Sequence, residues 1–502
     1  MCLPGPGNCT LAARHATIQV AVRPLFFAAL LSASLPSLLT ACGQGSPSRI
    51  KGPSSELALA PQVDRGAPAS PLELASDGIA IPVSSATPSN LAPANALGIA
   101  NATPLSAAPV GNLDGPDRLA RFFERLARLD DGQGHDDVRI LQYGDSHTAA
   151  DMGTAAFRRH MQARFGDGGR GFVSLGRPWK TYVQEGVRGY MTDEFEPVRM
   201  RLKELNPAVD CCFGLLGIGI EASAPGSRAW TDMAPRFSRV EIDYWQEPHG
   251  GTFDVFVDGA HAGRVASRAA QPGSGFASFD VTDAPHAIEV RTVGDGPVRV
   301  FGMTLDRAQA GVVVDALGIN GAQIFTALRW NEEHFAEQLR HQAPDLVVLA
   351  YGTNEAVEPR LEDADYERGL VDLLGRVSRA APKAGCLLLG PPDLARWTKG
   401  THGYHTWPRV LEIAAIQKRV ARAAGCGFYD QIEAMGGPGS MAAWAEEADP
   451  RAQQDRMHLT RIGYTQVGTA FATDLQRAYD EWRAEMGLPP TGADKTWNVA
   501  RR

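Results

Sequence analysis

The sequence has no excess of positive charge. Its 49 lysine and arginine residues are outnumbered by 57 aspartate and glutamate residues, which gives a formal net charge of -8 at pH 7. Acidic and basic residues are interspersed, so the chain has no basic stripe that would neutralise a run of phosphates. We therefore predict that nucleic acid is not a partner.

Cysteine is also scarce, with seven in 502 residues. Four of them lie in the part predicted to fold, and none has the spacing of a zinc site; they are Cys211, Cys212, Cys386 and Cys426. Paired metal ligands are lacking, and the glycine-rich segment 436–441 contains no lysine that would indicate a phosphate-binding loop. We predict no metal and no cofactor. Cys386 and Cys426 each precede a short apolar run, and they form either a disulfide, which we favour, or two buried thiols.

The chain has no long, strongly hydrophobic segment. Residues 25–41 carry no charge, but they are interrupted by serine, threonine and proline and are at the short limit for crossing a membrane. They follow Arg23 and end in Leu39-Thr40-Ala41-Cys42, which is similar to the bacterial lipobox. We expect a signal peptide at 1–41, a lipidated Cys42 and a periplasmic protein anchored to a bacterial membrane, the outer one. The alternative is a transmembrane anchor with an incidental cysteine.

Composition divides the rest of the chain. Residues 42–112 are dominated by alanine, proline, serine and glycine, which predicts a disordered tether. Residues 113–177 and 310–488 alternate strand-like and helical patterns, which predicts a parallel sheet covered by helices on both faces. Residues 178–309 show only short β-type segments separated by turns, which predicts an inserted β-sandwich. A tail occupies 489–502.

Three polar clusters lie where parallel strands end or where the last helix begins. They are Gly144-Asp145-Ser146-His147, Gly352-Thr353-Asn354-Glu355 and Asp455-Arg456-Met457-His458. Each cluster alone fits an ordinary turn or helix cap. Because active sites in parallel α/β sheets form at the carboxyl ends of the strands, we expect the three clusters to meet.

In this order the clusters resemble the sequence blocks of the SGNH (GDSL) hydrolase superfamily. The resemblance runs from Val138 to the C-terminal helix and excludes the β insert. It implies a flavodoxin-like α/β fold and the following roles. Ser146 is the nucleophile, His458 the general base and Asp455 its orienting carboxylate, while the oxyanion hole consists of the backbone N–H groups of Ser146 and Gly321 and the side-chain amide of Asn354.

A serine hydroxyl is a poor nucleophile unless a neighbouring imidazole accepts its proton, which explains why these residue types occur together. His147, next to the nucleophile, is interpreted as a structural or pocket residue and not as a second base, because a neighbour in sequence points elsewhere from the strand end. Residues Trp397, His402, His405 and Trp407 lie in a loop after a strand, where they either line the substrate cleft or pack against one another.

Further segments resemble the peptidoglycan O-acetylesterase family, in which the insert is similar to a carbohydrate-binding module. They include Phe165-Gly166-Asp167-Gly168-Gly169, Gly318-Ile319-Asn320-Gly321-Ala322-Gln323 and Gly390-Pro391-Pro392-Asp393. This resemblance implies removal of acetyl from the C6 hydroxyl of muramic acid in peptidoglycan or from another O-acetylated envelope glycan. Two alternatives remain open: an acetyltransferase or lipase-like esterase on the same scaffold, and a glycan-binding lipoprotein without catalysis.

Overall fold

A computed structural model describes residues 109–134, 136–200 and 212–489. The predicted signal peptide, Cys42, the tether up to residue 108 and the tail from residue 490 lie outside the described residues. No helix among the described residues is long and apolar enough to cross a membrane.

The strands, numbered along the chain, are β1 (Leu113–Asp114), β2 (Val138–Gly144), β3 (Gly169–Val173), β4 (Val187–Met191), β5 (Glu196–Arg199), β6 (Ile218–Ala222), β7 (Arg228–Met233), β8 (Phe237–Gln246), β9 (Thr252–Val257), β10 (Ala260–Ala266), β11 (Gly273–Ala284), β12 (Ala287–Thr292), β13 (Val298–Asp306), β14 (Val312–Gly318), β15 (Leu346–Ala350), β16 (Gly385–Leu389), β17 (Ala395–Thr398), β18 (Gly403–Thr406) and β19 (Gly427–Tyr429).

The α-helices are α1 (Ala120–Asp130), α2 (Ser146–Ala149), α3 (Met152–Phe165), α4 (Ile324–Leu328), α5 (Glu332–Gln342), α6 (Thr353–Ala356), α7 (Asp363–Ala380), α8 (Pro408–Ala424), α9 (Gln431–Met435), α10 (Ser440–Ala445) and α11 (Arg461–Glu485).

The central sheet has the strand order β1-β19-β16-β15-β2-β14, and all neighbours run parallel except β1. Alternate residues of one strand enter the two cores on opposite faces of the sheet, as the period of two in a β-strand requires. In β15, Val347 and Leu349 join the core that contains α7 and α8, whereas Leu346 and Val348 join the core that contains α3 and α11. The predicted fold class, a parallel sheet covered by helices with additional β sheets, is confirmed.

Most of the segment between β3 and β14 forms two antiparallel sheets. Their orders are β10-β9-β12-β7-β4 and β11-β8-β13-β6-β5, with β3 added beside β13. Alternating residues of these strands share one buried core, for example Val240, Phe253 and Val290. The boundary at residue 178 differs from the structure, because β3 lies before it and yet pairs with β13. A local pattern does not reveal that partner, since the two strands are far apart in sequence.

A buried ionic network connects these sheets to the central sheet. Arg139 of β2 contacts Asp306 of β13 at 2.7 Å and Asp315 of β14 at 3.3 Å. Asp315 also accepts a 2.6 Å hydrogen bond from the backbone N–H of Phe172 in β3. Asp243 lies in the part of β8 that pairs with β13, and it is fully buried. Its carboxylate oxygens have no hydrogen-bond partner among the described residues.

Two local features of the catalytic half are a helix boundary and a pair of cysteines. Residues 324–342 contain two helices, α4 and α5, because Asn331 caps a new helix by accepting a hydrogen bond from the backbone N–H of His334. Cys386 lies in β16 and Cys426 directly precedes the parallel neighbour β19, and the structure joins the two cysteines in a disulfide.

Candidate active site

The nucleophile turn begins where β2 ends. Asp145 is the N-cap of α2, and its buried carboxylate accepts a 2.9 Å hydrogen bond from the backbone N–H of His147. Gly144 is required by close packing, because a Cβ there would lie 2.2 Å from Thr148 Oγ1 and 2.7 Å from Ala350 O. The turn therefore holds Ser146 at the carboxyl edge of the central sheet.

Ser146, His458 and Asp455 form a hydrogen-bonded series. Ser146 Oγ lies 3.0 Å from His458 Nε2, and His458 Nδ1 lies 2.7 Å from Asp455 Oδ2. The other carboxylate oxygen of Asp455 accepts hydrogen bonds of 3.0 Å from the backbone N–H groups of Met457 and His458. The loop that carries Asp455 and His458 ends at Thr460, which caps α11. These distances are those of a nucleophile, a base and an orienting carboxylate.

Electrostatics of the series favour an ionised Asp455 beside a basic His458. Burial alone would raise the pKa of Asp455, but hydrogen bonds from the side chain and backbone of His458 lower it to about 2. The same hydrogen bond to Asp455 raises the pKa of His458, against the opposing effect of burial. The carboxylate is thus charged at neutral pH and can stabilise the imidazolium that forms when the base accepts a proton.

Gly321 and Asn354 lie on two loops that are hydrogen-bonded to each other. Asn354 Nδ2 donates to Ala322 O at 2.9 Å, and Gln323 Nε2 donates to Asn354 O at 3.3 Å. Gly321 has a φ of 76° and open space where a Cβ would be, so its backbone conformation is the reason for glycine. The Gly321 loop also reaches the nucleophile strand, since Ile319 N donates to Gly144 O at 3.1 Å.

Glu355 is a further residue of the site that the sequence patterns did not indicate. It is fully buried, and its two carboxylate oxygens accept hydrogen bonds from Ile324 N at 2.8 Å and Gly352 N at 3.0 Å. Burial raises the pKa of Glu355 to about 7. This side chain holds the Asn354 turn against the loop of Gly321. In the sequence, the position of Glu355 directly after Asn354 was the only indication of a role in the site.

His147 packs beside the proposed base. Its ring lies beside that of His458, with centroids 5.3 Å apart, and Tyr464 Oη lies 2.9 Å from its Nδ1. Residues 146–149 form a helical turn, which places successive side chains about 100° apart, so His147 and Ser146 point in different directions. Burial and the charge of His458 lower the pKa of His147 to about 3, so the ring is neutral. Its function as a structural neighbour of the base remains compatible with this position.

The segment of Trp397, His402, His405 and Trp407 contains a β-hairpin, β17–β18. The first residue of this hairpin contacts the loop that carries Asp455 and His458, because Ala395 N donates a hydrogen bond to Arg456 O at 3.0 Å. Among the described residues, no group of three or more histidine, cysteine, aspartate or glutamate side chains is arranged to hold a metal ion.

Comparison with known proteins relates the chain to a hydrolase family. Residues 282–466 match the sequence model of the GDSL-like Lipase/Acylhydrolase family. No curated protein sequence matches the chain. A solved structure titled "Peptidoglycan O-acetylesterase in action, 5 min" is similar, with 27% identity, a TM-score of 0.62 and coverage of 74% of this chain and 100% of that one. A lipase/acylhydrolase from Enterococcus faecalis matches 37% of this chain and 80% of its own at 19% identity, with a TM-score of 0.26.

The family match starts in the β insert and includes Asn354, Asp455 and His458, whereas Ser146 lies upstream of the matched residues. The structural match covers far more of the chain. The chain therefore carries a GDSL-like lipase/acylhydrolase domain with the SGNH hydrolase fold, and it is a carboxylic ester hydrolase.

Proposed function

We propose that this esterase removes O-acetyl groups from peptidoglycan, at the C6 hydroxyl of muramic acid. The observation that carries the proposal is the structural match along the whole length of a peptidoglycan O-acetylesterase, at 27% identity. The hydrogen-bonded series from Ser146 to Asp455 supplies the chemistry that such a reaction requires.

In the proposed mechanism, Ser146 Oγ attacks the acetyl carbonyl carbon while His458 Nε2 accepts the hydroxyl proton. Asp455 keeps the imidazole oriented and stabilises its charged form without itself taking the proton. The negative charge that develops on the carbonyl oxygen is stabilised by the N–H groups of Ser146 and Gly321 and by the amide of Asn354. One N–H of that amide is held by Ala322 O, which leaves the second for the oxyanion.

Collapse of the tetrahedral intermediate breaks the bond between the carbonyl carbon and the sugar oxygen, which takes the proton from His458 and leaves as a hydroxyl, while acetyl remains on Ser146. Water then attacks the acyl-enzyme, with His458 again accepting a proton, and acetate leaves as the serine hydroxyl is restored. The half-exposed side chains of His458 and Asp455, at 31% and 47%, place the series at the surface, where a polymeric substrate can reach it.

The direct test is acetate release from O-acetylated peptidoglycan by the full-length protein, measured beside its Ser146→Ala variant. We expect release by the wild type and a loss of about 10³-fold or more in the variant, with an unchanged melting temperature. Retained release in the variant would refute the assigned nucleophile. If p-nitrophenyl acetate is cleaved while peptidoglycan is not, the esterase remains and the glycan must be a different one. Mass spectrometry of added sugars separates hydrolysis from transfer.

We also propose that Cys42 is lipidated and holds the enzyme at the periplasmic side of a bacterial membrane. Support comes from the sequence Leu39-Thr40-Ala41-Cys42 after an uncharged segment. Incorporation of labelled palmitate by the wild type and not by Cys42→Ala, expressed in a Gram-negative host, is the expected result. Equal labelling of both would contradict the proposal.

A further inference from the structure

The hairpin β17–β18 stands at the same edge of the central sheet as the nucleophile. It follows β16, which ends at Leu389 beside β15, and the carboxyl ends of these parallel strands share one edge. The hairpin exposes two aromatic side chains, Trp397 at 53% and Tyr404 at 39%. Their rings meet edge to face with centroids 5.2 Å apart. Neither ring belongs to a buried core cluster, so a structural role in the core does not explain them.

One side of the hairpin is fixed to the loop that carries the base. Besides the bond from Ala395 N to Arg456 O, the guanidinium of Arg456 lies 3.6 Å from the centroid of the Tyr404 ring. Arg456 stands between Asp455 and His458 in the chain, is buried and has a φ of 54°. Tyr404 is therefore held close to the catalytic loop by a residue that is itself part of that loop.

The other side of the hairpin is fixed to the turn that carries Asn354. Trp407, directly after β18, donates a 3.0 Å hydrogen bond from Nε1 to Ala356 O at the end of α6. The guanidinium of Arg396 in β17 lies 4.2 Å from the centroid of the Trp407 ring. The hairpin therefore contacts both the loop that carries the proposed base His458 and the turn that carries the proposed oxyanion donor Asn354. Its exposed rings have a defined position relative to both.

We propose that this outer face is a sugar-binding subsite, in which Trp397 and Tyr404 pack against a pyranose ring of the glycan strand next to the acetylated sugar. This inference rests on the proposed function, which supplies the carbohydrate. A pyranose ring presents a face of C–H groups that packs on an aromatic ring, while its edge carries hydroxyls that need polar partners.

Polar groups for the sugar edge lie on the same hairpin. Thr401 Oγ1 and His405 Nε2 lie 2.6 Å apart at its exposed tip. Lys399, which lies between Trp397 and Thr401 in the sequence, is also exposed. An ammonium group also suits the carboxylates that peptidoglycan carries. A rigid aromatic surface with polar neighbours costs little conformational entropy when it binds, because Trp and Tyr have few rotatable bonds.

The experiment is inhibition of p-nitrophenyl acetate hydrolysis by soluble, de-O-acetylated peptidoglycan tetrasaccharides, with each protein's uninhibited rate as its own reference. We expect inhibition of the wild type, and an inhibition constant about fivefold higher or more in Trp397→Ala. Trp397→Phe, which keeps a smaller ring, should show a smaller increase. Met486→Ala is the control, since Met486 is an exposed apolar residue at the C-terminal end of α11, at 61%, and its inhibition constant should equal that of the wild type.

The subsite is refuted if the fragments do not inhibit the wild type, or if Trp397→Ala is inhibited as strongly as the wild type. The proposed function fails independently, if acetylated peptidoglycan yields no acetate. Inhibition that depends on Trp397 without acetate release would therefore keep the subsite and reject the acetyl group as the target.

Discussion

The imidazole of His147 lies against the imidazole of the proposed base His458, with ring centroids 5.3 Å apart and planes tilted by 33°. The two rings cannot both carry a charge at this distance without strong repulsion. Burial keeps His147 neutral, with a pKa of about 3, so the proton is taken by His458, whose charge Asp455 balances. We propose that His147 is a positioning residue that limits the movement of the His458 ring.

We expect His147→Ala to lower kcat about tenfold or more, because the imidazole of His458 loses the ring that limits its movement. His147→Phe keeps a flat ring and should retain most of the activity. The measurement is kcat with p-nitrophenyl acetate, together with the melting temperature of each variant. Full activity in His147→Ala would show that the contact does not position the base, and equal losses in both variants would assign the effect to a ring nitrogen.

The pH dependence of hydrolysis should follow His458. Because Asp455 raises its pKa above the ordinary value, kcat/KM should fall on the acid side with an apparent pKa above about 6.5. In Asp455→Asn the imidazolium loses its partner, so the pKa falls and the acid limb moves to lower pH, while kcat falls about 10³- to 10⁴-fold. Asp449→Asn, an exposed residue near the same loop, should keep the wild-type profile. An acid limb that does not move in Asp455→Asn would contradict this assignment.

Asn354 should contribute to the rate far more than to stability. Asn354→Ala removes the proposed oxyanion donor, and we expect kcat to fall about 100- to 1000-fold. The same change deletes the hydrogen bond to Ala322 O, which should lower the free energy of unfolding by only about 1 kcal/mol. Kinetics with p-nitrophenyl acetate and urea unfolding test the two effects separately. Wild-type kcat in the variant would exclude the amide from the oxyanion hole.

The disulfide between Cys386 and Cys426 should stabilise the sheet without affecting chemistry. The cysteines are 40 residues apart in sequence, and closing a loop of this length limits the unfolded chain. Replacing both by alanine should lower the free energy of unfolding by about 2 to 4 kcal/mol, with kcat unchanged under native conditions. Unfolding of the wild type in reducing agent should reproduce the loss. Equal unfolding midpoints in all three cases would show that the disulfide adds nothing.

Asp243 should make the protein less stable as the pH rises. Burial raises its pKa well above the ordinary value, so the folded state retains a proton that the unfolded state releases above about pH 4. The unfolded state then binds fewer protons, and the free energy of unfolding decreases with increasing pH. Asp243→Asn lacks this effect, and its advantage over the wild type should grow to about 1 to 3 kcal/mol at pH 8. Asp232→Asn, an exposed control, should show no pH-dependent difference.

The sequence predicted those parts of the site that depend on local order. Ser146 follows a buried strand, and Asp455 and His458 are three residues apart in one loop, so residue types and spacing select them as candidates, and the structure brings the three side chains into hydrogen-bond contact. The contact of Glu355 with Ile324 joins residues 31 positions apart, and that of Arg456 with Tyr404 depends on how a hairpin folds back. The packing of His147 against His458 joins two segments that are far apart in sequence. Tertiary packing decides such contacts, and no periodicity encodes them.

The network around Arg139 has a consequence for exchanging parts of this enzyme. A single guanidinium on the nucleophile strand pairs with acidic residues of β13 and β14, and β3 completes the insert's sheet from outside the predicted boundary. Cutting out the insert would remove Asp306, so that Asp315 alone would balance the buried Arg139, and it would leave the edge of β3 that pairs with β13 without a partner. The insert and the central sheet therefore depend on each other for these contacts. A graft of the insert onto another hydrolase must carry β3, Asp306 and Asp315 with it.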